Sequence, residues 1–218
     1  MSNNNTSRKI STGSAERTNA SLRDARRLFT RQRICDAART LFGEQGYAAT
    51  TMEQIAAKTG AQRATIYNHF RDKNDILAAI AEDYLSRLIE LIEELPGPVP
   101  SRTQIEEWVR KVVAFTLDQK MPTVLLMNLN DSIDVPETIE IVGDREIEAF
   151  ARRLPAFARA VHAGPGQGLA RARATAVLRQ LGWACLHAMQ PQRAGSADDT
   201  LAVAVELFER FVAETGEG

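Results

Sequence analysis

Cysteine and histidine are scarce in this chain: Cys35 and Cys185, with His69, His162 and His187, are all that 218 residues hold. They form no CxxC pair and no Cys/His cluster, so spacing offers no metal site. The two distant cysteines are expected as buried thiols, with a redox pair as the alternative. No histidine stands in a nucleophile, metal or acid–base arrangement, so no catalytic residue and no cofactor is expected. The glycine-rich stretch Gly164-Pro-Gly-Gln-Gly168 lacks a following Lys-Ser/Thr and a preceding strand, and is read as a connecting loop. No apolar run approaches the ~20 residues of a membrane helix, and the N-terminus lacks a signal-peptide core. The expected location is cytoplasmic. Strand-like alternation of Val, Ile and Thr is short and scattered.

What recurs throughout is helical periodicity, and the expected fold is all-α. At this length the chain buries a proper core without a disulfide or metal staple. Charge is unevenly placed. Residues 1–73 hold 13 Lys/Arg against 6 Asp/Glu, whereas the remainder holds 14 against 22. A basic front on a nearly neutral whole suits phosphate contact at one end. Residues 1–27 are rich in Ser, Asn, Thr and charge and are expected to stay disordered. They read either as a solubilising tail or as a basic arm along the phosphate backbone or in the minor groove.

A first helix is expected from about Arg31 to Glu44, capped by Thr30 or extended back toward Ser21, with Ile34, Ala37, Ala38, Leu41 and Phe42 on one buried face. Gly46 ends it. Thr50-x-x-Glu53 is a capping box for a second helix, and Thr51-x-x-Gln54 fits the same rule one residue on. Gly60 supplies a sharp turn, and Ile66 pins a third short helix. Asp72-x-x-Asp75 caps a fourth, running to about Leu95 before Pro96-Gly-Pro-Val-Pro100 stops it. Helix, glycine turn, helix is the arrangement that offers a helix to the DNA major groove.

The third helix carries side chains suited to that task. Arg63 has two donors for guanine, and Gln62 pairs with adenine or meets a phosphate. Ala64 and Thr65 are small enough for close approach, and Asn68 lies on the outer side. Tyr67, His69 and Lys73 suit phosphate clamping, and Thr51 suits the opposite strand. The plainer readings are packing for Tyr67 and Phe70, a structural role for His69 and a solvated charge for Arg63.

The ordered set Ala38-x-x-Leu41-Phe42, Gly46-Tyr47, Thr50-Thr51, Ile55-Ala56, Gly60 and Thr65-Ile66-Tyr67-x-x-Phe70-x-x-Lys73-x-x-x-Leu77 closely resembles the DNA-binding domain of the TetR family of transcriptional regulators. The resemblance covers residues 31–77. It implies an all-helical homodimer, with a DNA-binding domain at 28–76 and a larger ligand-binding and dimerisation domain at 77–218. By position, base reading falls on Gln62, Arg63, Ala64 and Tyr67, and phosphate contact on Thr51, Thr65, His69 and Lys73. The family often has Ser or Thr where Gln62 stands.

Farther on, helices are expected near 102–119, 122–131, 136–162, 168–190 and 198–214, with Pro155 kinking or dividing the third of these and 190–196 forming a loop. The 198–214 helix is apolar nearly all round, and the 168–190 helix bears a stripe of alanines. The two are expected to pair with their copies in a homodimer. Trp108, Phe115, Met127, Phe150, Trp183 and His187 are candidates to line a pocket for a small, apolar ligand, while Glu140, Asp144 and Arg145 read as a solvated face. The functional expectation is a repressor released from its double-stranded DNA operator by that ligand. The alternative is a ligand-independent or architectural DNA-binding factor of the same fold.

Overall fold

The structure is a computed structural model describing residues 7–130, 136–162, 164, 166–189 and 194–213. Among these residues there are ten helices and no strand. Among the described residues no helix is long and apolar enough to cross a membrane. Two compact units divide the chain, Met1–Ile76 and Leu77–Gly218.

Helix α1 spans Ser7–Gln45 and is far longer than its buried stripe. From Ile34 onward, Ile34, Ala37, Ala38 and Phe42 are buried, and Leu41 is half-buried. Before that point Leu22, Leu28 and Phe29 are all exposed. Residues 7–27 therefore continue the helix where a disordered tail was expected. Once a packed segment has nucleated a helix, each further residue adds a hydrogen bond at little cost. Thr30 is correspondingly no N-cap: its hydroxyl donates back to the Arg26 carbonyl at 2.9 Å inside the helix.

Helix α2, Met52–Thr59, is capped by the later of the two candidate boxes. The Thr51 hydroxyl accepts from Gln54 N at 3.2 Å, and the Gln54 side chain accepts from Thr51 N at 2.8 Å. Thr50 is buried instead and donates to the Gly46 carbonyl at 2.8 Å, because the chain reverses at Gly46 with φ 88°. Gly60, at φ 65°, ends α2 in the left-handed region that disfavours a Cβ. Helix α3 is only Arg63–Tyr67, held by buried Ile66 and followed by buried Phe70. The Asp72 carboxylate caps α4 by accepting from Asp75 N at 2.9 Å. Helix α4 runs Lys73–Glu93, so the boundary between Ile76 and Leu77 falls inside one continuous helix.

The second unit adds α5 (Arg102–Asp118), α6 (Lys120–Asn130), α7 (Glu137–Arg153), α8 (Pro155–Val161), α9 (Gln167–Ala188) and α10 (Ala194–Ala213). Pro155 divides the 136–162 segment as its ring requires, standing at the first turn of α8. Of the expected 190–196 loop, residues 190–193 lie outside the described residues and 194–196 belong to α10. Trp108, Phe150, Phe157 and Phe208 form the centre of the core, with ring centroids 4.8–6.1 Å apart. The Trp108 indole N–H, which needs a partner once buried, donates to the Leu91 carbonyl at 2.8 Å. Both cysteines are buried and outside any disulfide, as expected.

Candidate functional site

In the first unit, the short α3 leaves polar side chains outward because only Ile66 is needed to seat it. Gln62, Arg63, Ala64, Tyr67 and Asn68 are exposed, as is Thr51 at the start of α2. Thr65 and His69 are half-buried. Gln62 occupies the N-cap position of α3 but makes no side-chain capping bond, which leaves its amide available. The Arg63 guanidinium meets Glu53 of α2 at 2.7 Å and the Tyr67 hydroxyl at 3.4 Å, with its carbon 5.4 Å from the Tyr67 ring. The principal base-reading candidate is thus held by exposed partners that water or DNA can displace. Such an exposed pair contributes little to stability.

Lys73 has a different role from the one its position suggested. Its ammonium donates to the carbonyls of Tyr47, Ala48 and Thr50 at 2.9, 3.0 and 3.2 Å, and lies 4.6 Å from the Tyr47 ring centroid. Three carbonyls use its three protons, so it ties the 47–50 turn to the start of α4 and has none left to clamp a phosphate. Its positive charge remains, since carbonyls do not neutralise it. Arg31 and Arg33 behave alike, donating to His69 O at 3.2 Å and Thr59 O at 2.8 Å. Their long side chains close the chain ends after α3 and α2.

Burial disfavours the charged form of His69. Its titration point is lowered by burial first and by Arg27 and Arg31 second. Its Nδ1 is buried with no hydrogen-bond partner among the described residues. Arg71, which the sequence pattern did not single out, is exposed and grips Asp75 with two bonds of 2.7 Å. Those bonds and the Arg71 amide bring the Asp75 carboxyl down to about 2.

The second unit contains a partly open cavity of about 430 Å³ lined by side chains of α4, α5, α6, α7 and α9. That size falls within the range of small-molecule sites. Of the candidate pocket residues, Trp108, Met127 and Phe150 line it. Phe115, Trp183 and His187 do not. Phe115 packs on Tyr84 at 5.1 Å. Trp183 is 47% exposed on α9, with the His187 ring 4.2 Å from it. Glu140 and Asp144, read from sequence as solvated, border the cavity, and so do the unpredicted Tyr84, Thr123, Glu146 and Arg171. Asp144 and Arg171 form an ion pair there. Glu140 and Asp144 are nonetheless exposed, as the solvated reading expects, and half-buried Arg145 pairs with Glu82.

Residues 34–80 match the family model of bacterial regulatory proteins of the tetR family. The chain is similar to the HTH-type transcriptional repressor AcnR of Corynebacterium glutamicum, 35% identical over 65 residues, which are 30% of this chain and 35% of that one. The match thus spans about a third of the length of the curated relatives. Among solved structures, a TetR-like transcriptional regulator from Rhodococcus sp. RHA1 superposes with a TM-score of 0.59 at 19% identity, covering 85% of this chain and 96% of that one. SmeT in complex with triclosan gives 0.55 at 20%, covering 82% and 88%. At these identities the structural likeness establishes the fold.

Proposed function

We propose that this chain, which belongs to the TetR family of bacterial regulatory proteins by its residues 34–80, is a dimeric repressor that leaves its DNA operator when a small molecule enters the second unit. The observation that carries the reading is the exposed polar set of α3, with Gln62, Arg63 and Tyr67 outward and Ile66 inward. Selection of bound duplexes from a random pool is its test. An inverted repeat with half-sites about one helical turn apart is expected; recovery of no motif at physiological salt overturns it.

Dimer formation is supported by apolar side chains left uncovered on the last two helices. Leu169 and Trp183 on α9 are 62% and 47% exposed, and Val203 and Leu207, one turn apart on α10, are 48% and 39% exposed. Covering such side chains is worth about 1.5–3 kcal/mol each when complete. Val203→Asp with Leu207→Asp is therefore expected to raise the dimer dissociation constant by at least about a thousandfold, since both copies lose two anchors. Sedimentation velocity reads it directly. A dimer that persists at micromolar concentration places the interface elsewhere.

Ligand release is supported by the cavity and by the continuity of α4. Leu88 and Tyr84 of that helix line the cavity, and its first residue, Lys73, holds the 47–50 turn. A ligand acts on DNA affinity only through unequal affinity for two states of the protein. SmeT is a relative in fold that has been seen with a small molecule bound. A constitutive DNA-binding factor of the same fold is the second reading, and it is the less economical one because it leaves a cavity of about 430 Å³ without a purpose.

A further inference from the structure

Between Ser21 and Arg33, helix α1 carries five arginines and a single acid, Asp24. Arg31 and Arg33 are spent on carbonyls of their own unit. The side chains of Arg23, Arg26 and Arg27 are exposed, with no hydrogen-bond or ion-pair partner among the described residues. They are not scattered round the helix. Arg23, Arg27 and Arg31 follow one another at four-residue steps and so share one side of α1. That stripe runs on, in steps of three and four, through buried Ile34, Ala38 and Phe42. Exposed Leu22, Leu28 and Phe29 lie toward the opposite side.

The buried stripe packs α1 onto its own unit, so the unpaired guanidinium groups face the same way as α2 and α3. Contacts at the end of α3 show how near that helix is. Arg31 donates to the His69 carbonyl at 3.2 Å and lies 4.1 Å from the Phe70 ring centroid. Arg27, one turn earlier, is close enough to His69 to oppose a charge on its ring. His69 itself stands two residues beyond the end of α3. A row of guanidinium groups thus starts beside the exposed polar helix and leads away from it along α1. Successive members are about 6 Å apart along the axis, four residues at about 1.5 Å each. A DNA strand carries one charge per about 3.4 Å of its own axis, so the row can meet one strand at more than one phosphate.

We propose that the Arg23–Arg27 face of α1 is a second DNA contact, which binds phosphates beside those met by α3 and adds affinity without sequence preference. The proposal rests on the DNA-binding reading given above. Because these residues belong to a continuous helix, binding them to DNA orders less chain than a disordered arm would. A basic helix with apolar residues on its far side also suits an anionic bilayer. The placement of the arginines favours DNA: they adjoin α3, and Leu22, Leu28 and Phe29 point the other way.

Phosphate contact needs no operator, so the test uses the full chain and a mixed-sequence duplex of about four helical turns. Fluorescence anisotropy gives the affinity as salt rises from about 50 to about 200 mM. Arg23→Gln with Arg27→Gln removes four charges from a dimer, and each lost phosphate contact lowers the salt slope by about 0.9. Over that range the unaltered protein is expected to lose about a hundredfold more affinity than the variant. Arg87→Gln with Arg110→Gln removes the same charge from exposed positions of the second unit and is expected to leave the slope as it was. All four positions are exposed, so melting temperatures should barely move. An unchanged slope in the Arg23 and Arg27 variant overturns the proposal and leaves the DNA-binding reading standing. So does an equal fall in the Arg87 and Arg110 control, which traces the effect to net charge. An unchanged slope together with lost cosedimentation on vesicles of phosphatidylglycerol and phosphatidylcholine in equal parts assigns the face to a membrane instead. If the unaltered protein binds no duplex at about 50 mM salt, the proposal and the DNA-binding reading both fall.

Discussion

Arg63→Ala combined with Tyr67→Phe is expected to weaken operator binding by roughly a hundredfold or more. A bidentate contact to guanine is worth about 1–3 kcal/mol, and a symmetric dimer loses it at both half-sites. The same variant should hold nonspecific duplex nearly as well as the unaltered protein, because the charges of Arg31, Arg33 and Lys73 remain. Its melting temperature should barely move, since both side chains are exposed and such substitutions usually stay within about 0.5 kcal/mol. Unchanged operator affinity in a mobility-shift titration would remove α3 as the recognition element. The partner substitution Glu53→Gln works in the other direction. It frees the Arg63 guanidinium from a competitor at 2.7 Å, and a gain of a few-fold at most is expected from an exposed ion pair.

The second large effect concerns stability. Burial raises the Glu146 carboxyl from an ordinary 4.5 to about 7, so the folded chain holds this proton to a higher pH than the unfolded chain does. The stability this provides is complete below about pH 4.5 and is lost as pH rises through about 7. The full shift corresponds to about 3 kcal/mol. Glu146→Gln keeps the shape and removes the titration. Thermal melts should therefore show little difference between variant and parent at pH 4.5, and a clearly more stable variant at pH 8.5. A difference of the same size at both pH values would mean that the carboxyl is not isolated in the folded protein.

The two halves of the site differed in how far they could be read from sequence. Around α3 the reading was local. Gly46 and Gly60 mark the turns, Ile66 and Phe70 must be buried, and the outward residues follow from a helix only five residues long. What failed there was the assignment of long side chains. Lys73 and Arg31 reach across 26 and 38 residues to carbonyls, and spacing along the chain does not reveal such partners. In the second unit, Trp108, Met127 and Phe150 were found because large apolar residues on inward stripes border any interior space. Trp183 has the same composition but lies on the exposed side of α9. Glu146 was legible in principle: a carboxyl on the stripe of Ile139, Gly143 and Phe150 interrupts an apolar face, and that interruption passed unnoticed among the acids of α7.

By itself, then, the sequence determined the helical class, the helix-turn-helix with its caps and glycines, and the basic charge of the first unit. Those properties depend on residues within a few turns of one another. Tertiary structure alone decided which cations are consumed by carbonyls, where space remains among α4, α5, α6, α7 and α9, and which carboxyl faces that space without a partner. Each of those outcomes depends on groups far apart in the chain competing for the same few ångströms, and no periodicity records who wins.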